Sequence, residues 1–63
     1  MPVITIYGNE GISKDEKRKM VKEVTKTVAE AYKLPEETIT ILINALPHEN
    51  IGVSGELLSD REK

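Results

Sequence analysis

Apolar and polar residues alternate over the first stretch of the chain, change to a helical period through the middle, and return to an apolar, β-branched run before the final third. Pro2-Val3-Ile4-Thr5-Ile6-Tyr7 reads as a strand, with Val3, Thr5 and Tyr7 on one face and Ile4 and Ile6 on the other. Ile4 and Ile6 are expected to face a core. Pro2 suits the first position of such a strand, where the missing amide hydrogen costs no ladder bond. Gly8-Asn9-Glu10-Gly11 then predicts a loop.

Ser13-Lys14-Asp15-Glu16 has the form of a capping box, in which the serine hydroxyl accepts from the Glu16 amide and the Glu16 carboxylate reaches back to the Ser13 amide. A helix is expected from that point. Met20, Val21, Val24, Val28, Ala31 and Tyr32 recur at spacings of three and four and form its apolar stripe. Lys19, Lys22, Lys26 and Glu30 occupy the opposite face, with Arg18 and Glu23 toward the sides, as on a solvated helix surface. The helix should end around Tyr32-Lys33, because Pro35 disfavours helical geometry at Leu34 and has no amide hydrogen to donate.

After a Pro35-Glu36-Glu37 turn, Thr38 to Ala45 is the most sheet-like stretch, with Ile39, Ile41, Ile43 and Ala45 on one face. Strand, helix and strand in this order predict a right-handed βαβ unit with parallel strands and the helix over the isoleucine faces. Val3, Tyr7 and Leu42 fall on the other face, where nothing in the chain is left to cover them, so another subunit is the expected cover. Pro47-His48-Glu49-Asn50 reads as a turn with an exposed histidine, and Ile51 to Leu58 as a short glycine-containing hairpin that packs on a neighbour. Ser59 to Lys63 is a charged tail for which no structure is expected.

Length and composition sharpen the expectation of assembly. At 63 residues the chain is one α+β domain, residues 1–63, with too little core to be stable alone unless it is stapled or oligomeric. It has no cysteine and one histidine, which excludes disulfides, thiol catalysis and a histidine metal cluster within one chain. Nine basic and eleven acidic residues are dispersed without a basic block, and the only aromatics are two tyrosines, which argues against a nucleic-acid partner. No apolar run approaches a membrane span, and the N-terminus lacks the pattern of a signal peptide, so a cytoplasmic protein without a membrane partner is expected.

The candidate chemistry lies at Pro2. Removal of Met1 would leave it a secondary amine at the head of a strand. A Met1-Pro2 start opening a strand, a Glu10-Gly11 loop, a capped helix, a second strand and a Gly52-x-x-Gly55-Glu56-Leu57 hairpin together resemble the 4-oxalocrotonate tautomerase family over essentially the whole chain. The resemblance implies a βαβ unit with a C-terminal hairpin, a homo-oligomer that is typically a hexamer, and keto–enol tautomerisation of a small-molecule enol acid without metal or organic cofactor. It also implies that the Pro2 amine takes the enol proton and returns it to carbon. An α-amino group starts near pH 7.7–8.0, and an apolar pocket lowers that value toward the working pH, where a general base is most effective.

Family members place an arginine directly after the Glu-Gly pair, where this chain has Ile12, and another in the second strand, where it has Thr40. A pocket phenylalanine is replaced by Ile51. Guanidinium forks suit a dicarboxylate substrate, so their loss predicts weaker recognition of diacids than of monoacids and a more apolar pocket. Lys14, Lys33 and Arg61 are candidate replacement cations, His48 a candidate donor, and Glu49 and Glu56 candidate activators of water, each with a solvated surface residue as its ordinary reading. The alternative function is a non-catalytic oligomeric scaffold or small-ligand-binding protein that keeps the fold, which the losses at Ile12 and Thr40 and a retained Met1 would favour.

Overall fold

The computed structural model describes residues 1–61, so Glu62 and Lys63, the end of the charged tail, lie outside the described residues. Strand β1 (Val3–Asn9) pairs in parallel with β2 (Thr40–Leu46), and helix α1 (Lys14–Tyr32) crosses between them. The ladder runs from Val3 opposite Thr40 to Asn9 opposite Leu46, which puts Ile4 and Ile6 beside Ile41 and Ile43. The expected βαβ unit is present, with these four isoleucines half-buried on one face of the sheet. Beyond it, β3 (Gly52–Val53) and β4 (Glu56–Leu57) form the antiparallel C-terminal hairpin.

The helix begins as its capping box requires. The Glu16 amide donates to Ser13 Oγ at 3.1 Å, and the Ser13 amide donates to Glu16 Oε1 at 3.2 Å. Its other end is a Schellman turn: the Leu34 amide reaches the Ala29 carbonyl at 3.0 Å and the Lys33 amide the Glu30 carbonyl at 3.3 Å. Lys33 sits at φ 59° in the left-handed region, where glycine is the usual occupant, so the stop is made by backbone bonds and by Pro35.

Four expectations need correction. Gly8 and Asn9 continue β1 and pair with Ala45 and Leu46, so the connecting loop begins at Glu10; a strand glycine costs stability without ending the ladder. The helix buries Ala29, at 5% exposure, where the stripe had been drawn through Ala31 and Tyr32. Ala29 continues the Val21-Thr25 row at intervals of four, whereas Tyr32 is at the last turn and 64% exposed. The second strand starts at Thr40, because Glu36–Thr38 is a 3₁₀ turn, and Ala45 is exposed, since across the ladder it meets only Gly8. Finally, Leu58–Arg61 is a 3₁₀ turn where no structure was expected, tied back by Arg61 to Glu56 at 2.9 Å and to the Val53 carbonyl at 3.3 Å.

The reverse face of the sheet is open, as its pattern predicts: Val3 is 53%, Tyr7 72% and Leu42 51% exposed. The molecule measures 46 × 24 × 13 Å, with a radius of gyration of 15.1 Å, whereas a compact domain of this length has about 11 Å. The form is elongated and the isoleucines only half-buried, so the single chain has little core: full burial of such a side chain contributes about 1.5–3 kcal/mol against about 1–2 kcal/mol of backbone entropy per ordered residue.

Candidate active site

Pro2 stands half-buried at the head of β1, and its carbonyl accepts from the Thr40 amide at 3.2 Å. That bond ties the beginning of β1 to the beginning of β2 and anchors Pro2 through its carbonyl. Because the strands are parallel, the chain segment entering β2 lies at this same end. An open depression of about 390 Å³ results, walled by Met1, Leu34, Glu37, Thr38 and Thr40. Leu34 follows the helix stop and Glu37 and Thr38 belong to the 3₁₀ turn, so the wall is built from the connection between α1 and β2. The Thr38 hydroxyl donates to the Pro35 carbonyl at 2.8 Å, and the Thr38 amide donates to the same oxygen at 3.1 Å. Those two bonds fix the turn that carries Glu37.

The other positions singled out from sequence separate into two groups. Thr40 and the Lys33 cap residue lie at the Pro2 end. Ile12 lies beyond the opposite end of β1, over a depression of about 270 Å³ whose wall includes Ile6, Gly8, Met20 and Ile43. Seven residues of β1 advance roughly 23 Å, so Ile12 and Pro2 of one chain cannot touch one ligand. Ile51 also follows the far end of β2, and its carbonyl accepts from the Leu58 amide at 2.9 Å. A pocket containing Pro2, Ile12 and Ile51 together must draw on more than one subunit.

His48 is half-buried, contrary to the exposed position expected of it, because the 3₁₀ turn His48–Asn50 folds it toward Glu10, Gly11 and Leu46. Lys14 is the exposed first residue of α1, at the end of the sheet away from Pro2. Arg61 and Glu56 are engaged with one another, and Glu49 is exposed. Sequence reasoning did not single out Glu37 or Leu34. The signal available was the parallel register itself, which returns the residues just before β2 to the starting edge of β1.

No helix among the described residues is long and apolar enough to cross a membrane. A family model described as tautomerase enzyme matches residues 2–61. The chain is 36% identical over 62 residues to the 2-hydroxymuconate tautomerase of Bacillus subtilis, covering 98% of this chain and 100% of that one. Among solved structures, DmpI from Archaeoglobus fulgidus is 41% identical with a TM-score of 0.83, over 94% of this chain and 100% of that one. A 4-oxalocrotonate tautomerase homologue superimposes over the full length of both chains with a TM-score of 0.93 at 24% identity, a likeness of fold. The matched span takes in Pro2, both strands, the capped helix and the hairpin, and with these relatives it shows that the chain belongs to the tautomerase family and is an isomerase of the 4-oxalocrotonate tautomerase type.

Proposed function

We propose that the chain, once Met1 is removed, is a keto–enol tautomerase acting on a 2-hydroxy-dienoate such as 2-hydroxymuconate or a related 2-hydroxy enoate, with Pro2 as general base and acid. The observation that carries this reading is the placement of Pro2 at the head of β1, tied through its carbonyl to Thr40, which with Leu34, Glu37 and Thr38 lines an open depression at the same end of the sheet. In the reaction the enol O–H bond breaks as the proline nitrogen takes the proton. The double bond shifts to form the carbonyl, and the same proton passes from nitrogen to the conjugated carbon. Atoms and charge balance with no oxidant, reductant or group carrier.

The proline ring removes rotational freedom from the nitrogen, so the base enters the reaction already oriented. Because Ile12 and Ile51 lie at the far end of each chain, the working pocket in this reading is completed by neighbouring subunits of a homohexamer.

Ketonisation of phenylenolpyruvate by the processed protein and by Pro2→Ala tests the reading, with intact mass establishing that Met1 is absent. The expected loss is about 10²–10⁴-fold in kcat/KM, the usual contribution of a positioned general base. Equal rates for the two proteins would overturn the mechanism.

A further inference from the structure

The charge carried by the depression at Pro2 is unusual for a site that handles acids. Of the described residues in its wall, Met1, Leu34, Glu37, Thr38 and Thr40, the one ionisable side chain is a carboxylate. Glu36, its neighbour, turns the other way, to a separate depression with Lys22 and Lys26 of α1. Lys33 is the exposed cap residue of the helix and does not contribute to the wall. The Thr38 hydroxyl is engaged by Pro35. The Thr40 hydroxyl has no hydrogen bond to another described residue, which leaves it able to donate one to a ligand. Glu37 has no ion-pair partner among the described residues either.

We infer that Glu37 determines specificity at the Pro2 site, restricting it to enol acids with a single carboxylate and a neutral far end. Of the substrates proposed above, this selects the monoacid 2-hydroxy enoates over the diacid 2-hydroxymuconate, and it rests on that assignment of the site. A monoanion can set its one carboxylate toward the Thr40 hydroxyl while its uncharged end lies along Leu34. A dianion must bring a second negative charge against the same wall, which already contains Glu37. At a separation of about 6 Å, like charges in water disfavour each other by about threefold in binding, and more as the local dielectric falls.

The test is binding of hex-2-enoate and hex-2-enedioate to the full, processed protein, followed by NMR at the Thr38 and Thr40 amides. In the wild-type protein the monoacid should bind about three- to tenfold more tightly than the diacid. Glu37→Gln should bring the two within about twofold, and Glu37→Lys should reverse the preference. Glu37 is exposed on a turn held by Thr38 and Pro35, so both variants retain the fold. The same ratio in all three proteins overturns the inference, as does failure of either acid to perturb those amides. The Pro2→Ala kinetics separate this result from the assignment of the base: an unchanged ratio beside an inactive Pro2→Ala refutes the role of Glu37 alone, and a fully active Pro2→Ala refutes the base alone.

Discussion

The βαβ unit and the C-terminal hairpin of this chain are built on different terms. In the first, each local signal agrees with its surroundings: the capping box starts the helix, the Schellman turn stops it, and the isoleucines of two seven-residue strands meet beneath it. In the second, strands of two residues are joined through Ser54 and Gly55, both at positive φ, as in a type I′ turn. Its Val53 and Leu57 side chains are exposed, and what ties it down within the chain is the turn after it and the bonds of Arg61. The helix-covered face of the sheet is closed in part from within, its isoleucines half-buried; in the proposed homohexamer the hairpin and the reverse sheet face would be covered by another copy, and stability would be divided between the locally specified unit and the assembled surfaces.

The largest effect is expected where the sheet faces that other copy. Leu42→Asp places a charge on the open face beside Val3 and Tyr7 and should cost several kcal/mol in the assembly. Light scattering should then give the mass of a single chain, and the cooperative thermal transition should disappear. Retention of the assembled mass would show that this face is not an interface.

A smaller effect is expected in the hairpin. At Gly55, φ is +81° and an added Cβ meets nothing within 4 Å, so Gly55→Ala tests backbone conformation without a clash. Its cost should be about 1–2 kcal/mol, seen as dissociation at a higher protein concentration. If helical circular dichroism falls before the mass does, the two regions are not energetically separate. The smallest change belongs to the helix cap: Ser13→Ala removes the acceptor for the Glu16 amide and should cost about 1 kcal/mol, seen as a lower melting temperature with the assembled mass unchanged. A larger loss from Ser13→Ala than from Gly55→Ala would invert the comparison.

Much of the chain is legible without the fold because its signals act over three or four residues. Ser13 and Glu16 announce the helix start through bonds they make with each other, and Pro35 marks its stop. Alternation in Val3 to Tyr7 separates the isoleucine face from the open one before any partner strand is known. The resemblance to the tautomerase family rested on the same order of elements, with Pro2 at its head. The errors fall where two elements compete for a residue. Gly8 looks like a loop residue until β2 supplies the partner Ala45, and Ala29 is too small to stand out in a stripe, yet the helix approaches the sheet there.

The sequence by itself determined the βαβ order, the helix limits, the open sheet face and the place of Pro2 at a strand start, because periodicity, capping and proline geometry are local properties. Only the tertiary structure decided which residues share an end of the sheet. Parallel pairing of Val3 with Thr40 brings Glu37 and Thr40 to the depression at the Pro2 end of the sheet and sends Ile12 and Ile51 to the opposite end. Strand register is a long-range choice set by burial of the isoleucine faces, and it brings Glu37 into one wall with Met1, from which it is far removed along the chain.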